Sequence, residues 1–226
     1  MKVTYYGHAC FAVRLGNKTL LFDPFITGNE MAKSIDPKLI QADYILISHG
    51  HADHLGDAAD IARRTGATIV SNFEIVQWFA KQGLQKAHPL NHGGGHTFDF
   101  GRAKFVNAIH SSSLPDGAYG GNPGGFVVTS AEGNFYYSGD TALTLDMKLI
   151  GESTELRFAA LCIGDNFTMD VQDALKAAEF VRCSEVLGLH FDTFPPIKID
   201  HQAAVESFKN ANRRLHLLAP GRTQDF

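Results

Sequence analysis

The segment Ser48-His49-Gly50-His51-Ala52-Asp53-His54 packs four metal-competent side chains into six positions, and the apolar run Tyr44-Ile45-Leu46-Ile47 leads straight into it. An apolar run bounded by turn residues reads as a buried strand. The ligand-rich stretch is then a loop at that strand's carboxyl end, followed by a helix from about Asp57 to Thr65. His49 and His51 are two apart, so in extended backbone they point the same way. Asp53 and His54 are adjacent and diverge unless the chain curls. A curling loop can feed two metal positions at once, and imidazole nitrogen with carboxylate oxygen suits zinc, manganese or iron. A polar surface loop would also explain scattered histidines in a chain with eleven of them. It does not explain three His and an Asp together behind a buried strand.

Further elements follow in order. Residues 2–6, 10–15 and 18–23 read as short strands, with a hairpin signal at Gly16-Asn17. Phe25 to Lys38 is irregular and suits a loop beside a site mouth. A strand near Thr68–Ser71 precedes a helix from Phe73 to Gln82, with Phe73, Val76, Phe79 and Ala80 on its core face. His88, His92 and His96 fall among three glycines and a proline, which describes a flexible turn. Arg102–Ala108 is a strand that delivers His110. Gly117–Gly125 holds five glycines, the mark of a mobile or closely approached loop. Phe126–Thr129 and Phe135–Ser138 form a hairpin that ends in Gly139-Asp140-Thr141. Phe158–Ile163 and Glu185–Leu189 are buried strands, the second ending in His190. Helices start at Asp170 and Asp200, and Leu215–Leu218 is a final strand. The order is strands, βα units, strands, then βα units again. It predicts an α+β chain built as a four-layer αββα sandwich, one domain over 1–226.

His49-Gly50-His51-Ala52-Asp53-His54 matches the His-x-His-x-Asp-His signature of the metallo-β-lactamase fold superfamily. Tyr6-Gly7-His8-Ala9-Cys10-Phe11, Leu21-Phe22-Asp23-Pro24-Phe25 and Ile163-Gly164-Asp165-Asn166-Phe167-Thr168-Met169 resemble one branch of it, the UPF0173 metal-dependent hydrolases, kin to the ascorbate-6-phosphate lactonase group. The resemblance covers most of the chain and implies the αββα fold of the metallo-β-lactamase type. It implies two divalent metal ions, zinc first, with manganese, iron or nickel as alternatives. His49, His51 and His110 would hold one and Asp53, His54 and His190 the other, with Asp140 as the bridge. Taken alone, His110 is an ordinary loop residue and Asp140 a helix cap. The resemblance also implies that Asp23 braces the metal loop, and that His8 lies by the metals as a substrate or leaving-group contact. Without it, Asp23 is a turn Asp and His8 a solvated turn His.

Composition limits the function classes. Apolar residues make up 44% of 226, enough for a sizeable core, and the net charge is −4. Arg63-Arg64 and Arg213-Arg214 are isolated pairs, not a nucleic-acid patch. Cys10, Cys162 and Cys183 lie in apolar contexts without paired spacing, so free buried thiols in a reducing compartment are expected. No apolar stretch approaches 18 residues, so a cytoplasmic location with no membrane partner is expected.

These features together predict a metal-dependent hydrolase in which hydroxide formed from water on the cations is the nucleophile. Asp53 and His8 are the candidate proton carriers. The expected mouth loops, Phe25–Glu30, Ala52–Gly56, Ser111–Gly125, Asp140–Leu143 and Phe191–Pro196, contain no Lys or Arg. They carry Phe25, Leu114, Tyr119, Phe191 and Phe194. A small ester, lactone, thioester or amide is the expected partner, with no nucleic acid, and a homo-oligomer is compatible with the sequence. The rivals are a phosphodiesterase of the same fold and a non-catalytic metal-binding protein.

Overall fold

Strand β1 (Lys2–Gly7) shows the period-two burial of a half-covered strand, with Val3, Tyr5 and Gly7 turned inward. By contrast β11 (Phe158–Cys162) is buried at every position, as expected of a strand covered on both faces. Both patterns fit the computed structural model, which describes residues 1–226 as two seven-stranded sheets. The first sheet has the order β14-β1-β2-β3-β4-β5-β6. Its further strands are β2 (Cys10–Leu15), β3 (Lys18–Phe22), β4 (Tyr44–Leu46), β5 (Thr68–Asn72), β6 (Ala87–Leu90) and β14 (Thr223–Asp225). The second has the order β13-β12-β11-β10-β9-β8-β7, with β7 (Gly95–Phe98), β8 (Gly101–Asn107), β9 (Gly124–Ser130), β10 (Gly133–Tyr137), β12 (Glu185–Leu189) and β13 (Arg214–His216).

Each sheet is half antiparallel and half parallel, with the change at β3–β4 in one and β10–β11 in the other. Parallel neighbours need crossovers; helices supply them except between β3 and β4, where residues 23–43 form a loop with two short 3-10 turns. The segments α1 (Ala52–Leu55), α2 (Ala58–Thr65) and α3 (Phe73–Lys81) belong to the first sheet. The second has α4 (Asp146–Ser153), α5 (Val171–Phe180) and α6 (His201–Asn210). Asp170 and Asp200 cap α5 and α6 by accepting from the backbone amides of Asp173 and Ala203. Three apolar clusters fill the spaces between four layers. One lies between the sheets, one outside the second sheet against α4, α5 and α6, and one outside the first against α2 and α3. The αββα sandwich is the architecture observed.

Several local expectations need correction. Asp53 and His54 lie on the short helix α1, not in a loop, so the curl they required is a helical turn. Phe73 is 53% exposed; Ile75, Val76 and Phe79 form the buried face of α3. The stretch with His88, His92 and His96 is not simply a flexible turn: His88 lies on β6 and His96 on β7, the outermost strands of the two sheets. β14, too short and polar to announce itself, pairs antiparallel with β1. The glycine-rich 117–125 segment is closely approached. A Cβ at Gly121 would lie 2.5 Å from the Asn72 amide nitrogen, and one at Gly124 would lie 2.4 Å from the Phe105 ring. The three cysteines are buried and free. Burial pushes the Cys162 and Cys183 thiols up to about 11, which leaves them poor nucleophiles.

The core between the sheets centres on Phe22. Its ring stacks on Phe11 at 4.5 Å and meets Phe126, Phe135 and Tyr137 edge-on at 6.2, 5.7 and 5.5 Å. Phe22→Ala should cost about 3–5 kcal/mol of unfolding free energy, read from urea denaturation, because the rings around it cannot all collapse inward.

Candidate metal centre

Each of the expected site residues stands in a turn or helix just beyond the carboxyl end of a strand. His8 follows β1, Asp23 follows β3 and the His49–His54 segment follows β4. His110 follows β8, Asp140 follows β10 and His190 follows β12. Clefts at strand carboxyl ends are where sheets of this kind bind ligands. The turns are tied across the gap between sheets: the His190 amide donates to the His8 carbonyl at 2.9 Å, and the Gly124 amide to the Ser48 carbonyl at 3.1 Å. His8, Asp23 and His190 have φ of 55°, 36° and 56°. Left-handed backbone at non-glycine residues costs free energy, of order 1–3 kcal/mol in sparsely populated regions, and persists only where surroundings over-determine it. Gly139, at φ 59°, precedes Asp140, and a Cβ there would lie 2.6 Å from the Gly124 carbonyl oxygen.

Asp23 is fully buried and organises the cluster from behind. Its Oδ1 accepts from the Ser48 amide at 2.8 Å. Its Oδ2 accepts from Ser48 Oγ, from the Tyr137 hydroxyl at 2.6 Å and from His54 Nδ1 at 2.7 Å. A carboxylate can only accept, so these contacts fix the protons. His54 must carry hydrogen on Nδ1, which turns Nε2 to the cluster. Ser48 Oγ spends its hydrogen on Asp23, so it accepts from His49 Nδ1 at 2.9 Å, and His49 Nε2 is left with a free lone pair. One carboxylate thus sets the tautomers of two imidazoles. Asp23 lies behind the metal-loop segment, hydrogen-bonded to Ser48 and His54. Ser48 and Tyr137 were not foreseen. Ser48 could have been suspected from its place beside His49, but nothing in the sequence links Tyr137 on one sheet to Asp23 on the other.

The donor atoms of His49, His51 and His110 lie within 4.8 Å of one another, and so do those of His8, Asp53, His54 and His190. Asp140 stands between the two groups. Its Oδ2 is 2.9 Å from His190 Nε2, 3.2 Å from His54 Nε2, 3.7 Å from His110 Nε2 and 4.0 Å from His49 Nε2. Within the first group, His49 Nε2 and His51 Nδ1 approach to 2.9 Å. His54 Nε2 and Asp140 Oδ1 are buried with no hydrogen-bond partner. Buried polar atoms of this kind are otherwise nearly always satisfied. Converging nitrogen lone pairs, an orphaned carboxylate oxygen and an orphaned imidazole nitrogen are the donor set a divalent cation takes, so the residues present fit a metal.

Protonation follows from burial and neighbours. Burial holds His49 well below its ordinary range, and the nearby His54 adds to this. Burial also lowers His51 and His110, so all three are neutral at pH 7, as metal ligands must be. His54 goes the other way: burial opposes its charge, but Asp140 and Asp23 outweigh that and raise it. Burial pushes Asp53 up, yet the His8 hydrogen bond and the charge of His54 hold it below the usual carboxylate range. His8 is brought down to about 4 by burial, then by His190, so it is buried and neutral, not solvated. Its Nε2 meets Asp53 Oδ2 at 3.2 Å and its Nδ1 meets Thr193 Oγ1 at 2.9 Å. Because Asp53 accepts, His8 carries its hydrogen on Nε2 and accepts from Thr193, a second residue not foreseen.

Other histidines stay apart. The His88 and His96 rings meet at a tilt with centroids 4.0 Å apart, and His92 Nε2 lies 2.8 Å from the Pro123 carbonyl oxygen. His201 pairs with Asp192 and His216 with Glu185. Leu114 and Phe191, expected at the mouth, are buried in the apolar core instead. Phe191 stacks under Tyr5 at 6.5 Å.

Asp23→Asn should weaken divalent-metal affinity by roughly 10–100-fold while removing no direct donor, read by competition with a chromogenic chelator. Because metal-free His54 holds its proton above its ordinary 6.5, metal uptake at neutral pH should release protons into a weakly buffered solution, and apparent affinity should climb with pH. Replacing His88, His92 and His96 together by Ala should leave metal content unchanged by elemental analysis; loss of a full equivalent would place a ligand among them.

The model of the beta-lactamase superfamily domain matches residues 2–190. A UPF0173 metal-dependent hydrolase of Flavobacterium johnsoniae is 54% identical over 221 residues, covering 98% of each chain. One from Methylacidiphilum infernorum is 52% identical, covering 96% of each. Among solved structures, the metallo hydrolase Igni18 of Ignicoccus hospitalis is 33% identical, with a TM-score of 0.89 over 100% of this chain and 98% of its own. With its sandwich fold and its His/Asp cluster able to bind metal, the chain belongs to the beta-lactamase superfamily and, within it, to the UPF0173 metal-dependent hydrolases.

Proposed function

We propose that this hydrolase is dinuclear and acts on a small ester, lactone, thioester or amide. The observation that carries the dinuclear reading is the placement of Asp140 Oδ2 within 4.0 Å of imidazole nitrogens from both groups. A carboxylate there can serve both positions. His49, His51 and His110 would hold one cation and Asp53, His54 and His190 the other, with Asp140 between them. Bound divalent cations, zinc first, supply Lewis acidity and lower the pKa of a coordinated water toward neutrality.

The chain's own residues supply the rest. Asp23, through Ser48 and His54, holds two ring nitrogens aimed inward before any ligand arrives, so little reorganisation is required on binding. Asp53 is held anionic by His8 and His54, which suits it to accept a hydrogen bond that orients the nucleophile. His8 keeps hydrogen on Nε2 at 3.2 Å from Asp53 and steadies that carboxylate. Thr193 fixes the ring of His8 in turn.

The substrate class rests on the mouth. Phe25 and Phe194 are half-buried beside His8, and Ile109, next to His110 in the chain, is exposed. No Lys or Arg lies on the mouth loops, whereas a polyanion relies on several cationic contacts and on counterion release. No helix is long and apolar enough to cross a membrane.

Metal-supplied protein should approach two equivalents per chain by elemental analysis, and Asp140→Ala should weaken both sites while His190→Ala empties mainly one. A stoichiometry that never exceeds one at saturation rejects the dinuclear reading. For substrate, kcat/KM should be compared at fixed low salt for a lactone, thioester and amide panel and for a labelled oligonucleotide. Small carbonyl substrates should be turned over and the oligonucleotide left intact. Clear preference for the oligonucleotide, abolished by Asp53→Ala, would make the chain a phosphodiesterase; metal binding without turnover of any of them would make it a non-catalytic metal-binding protein.

A further inference from the structure

On the outer face of the second sheet a cavity of about 260 Å³ opens where α4 meets β8 and β9. No member of the metal cluster lines it. Val106 and Val127 form its strand side and Met147 and Ile150 its helix side. Leu149, 64% exposed, continues the apolar lining out to solvent. An apolar cavity of about 150 Å³ is enough to take benzene, so this one has room for a hydrocarbon body of that size or somewhat larger.

Most polar groups around the cavity are committed to protein partners. Asn107 Nδ2 donates to Asp146 Oδ2 at 2.8 Å, and Asp146 sits in the first turn of α4, where the helix amides favour its charge. Ser153 Oγ donates to the Leu149 carbonyl at 2.7 Å. His92 Nε2 donates to the Pro123 carbonyl at 2.8 Å. Lys104 is the one cation in the lining, and it is exposed, in no ion pair and in no side-chain hydrogen bond. In the strand register it stands between Gly95 and Val127. One neighbour is therefore the cavity's apolar floor, and the other has no side chain to close the flank. The Lys104 stem can lie along Val127 while its ammonium stays at the edge of the cavity. An apolar interior beside a single free ammonium suits a ligand with a hydrocarbon body and one anionic head. A second negative charge would find no cation and would meet Asp146.

We propose that this cavity is an accessory binding site for a small monocarboxylate with an apolar body, held at its head by Lys104 and along its chain by Val106, Val127, Met147 and Ile150. The site stands apart from the metal centre and requires no turnover, so it holds whether or not the proposed substrate class is right. Amide NMR titration of the zinc-loaded, nitrogen-labelled full chain with hexanoate, hexanol and acetate, at fixed pH and salt, tests it. Acetate controls for a carboxylate settling on the metals, and hexanol carries the chain without the charge. Hexanoate should bind about tenfold tighter than acetate and about fivefold tighter than hexanol. The amides of Lys104, Val106 and Ile150 should move with hexanoate and stay still with acetate. Val106→Trp fills the cavity and should cut the advantage of hexanoate over acetate to within about threefold, with zinc content unchanged. Lys104→Met keeps the stem, removes the charge and lies on the surface. It should erase the advantage of hexanoate over hexanol while leaving hexanol affinity as it was. Hexanoate binding no tighter than acetate, or shifts confined to the turns around the metal cluster, overturns the site. So does an advantage over acetate kept in folded Val106→Trp. If Val106→Trp does not fold, Lys104→Met decides alone, and an undiminished preference for hexanoate over hexanol rejects the proposal.

Discussion

The buried carboxylate of Asp23 is the interaction on which the rest of the site depends. It takes hydrogen bonds from Ser48 and His54 on the first sheet's metal-loop segment and from Tyr137 on the second sheet. A carboxylate buried without partners would be driven to neutrality. With four donors aimed at it, the anion is compensated, and its acceptor-only chemistry dictates where the protons of His49 and His54 sit. The same contacts join the two sheets at the floor of the cleft. The packing of the sandwich and the aim of the imidazoles are therefore one structural fact, and loosening either would loosen the other.

The fold concentrates polar and strained residues at one end. Each sheet changes from antiparallel to parallel partway across, and the carboxyl ends of strands from both sheets open on one cleft. Turns there hold His8, Asp23 and His190 in left-handed backbone, and backbone hydrogen bonds across the gap keep them so. Beneath them lies an aromatic core of Phe11, Phe22, Phe126, Phe135 and Tyr137 that admits no water-sized adjustment without loss of contact. Tyr137 belongs to both regions: its ring packs on Phe11 and Phe22 while its hydroxyl reaches Asp23.

Electrostatics in the cluster are divided in a way that suits cation binding. His49, His51 and His110 are kept neutral first by burial, whereas His54 is kept charged in the absence of metal by Asp140 and Asp23. A proton on His54 thus offsets part of the negative charge that a cation would neutralise. The loops around the cluster carry no Lys or Arg.

Much of this was legible from the residues alone. Alternation and apolar runs located most strands, the duplicated order of strands and βα units predicted the layers, and the His49–His54 motif marked the metal chemistry. These signals are local, because each depends on neighbours within a few positions. What the sequence did not reveal depended on contacts between distant elements. The turn of helix at Ala52–Leu55 forms where Asp53 meets His8 from β1's end. Leu114 and Phe191 are apolar residues in loops, and only packing decided that they face the core while Phe25 and Phe194 stay half-buried beside His8. β14 is a strand because β1 offers it an unpaired edge, not because Thr223-Gln224-Asp225 favours one. Tyr137 and Thr193 carry no motif at all, and their roles arise because a hydroxyl ends within hydrogen-bond reach of Asp23 in one case and of His8 in the other. Residue chemistry and spacing determined that this chain gathers a His/Asp cluster able to bind metal. Tertiary packing decided which protons those ligands carry and which side chains surround them.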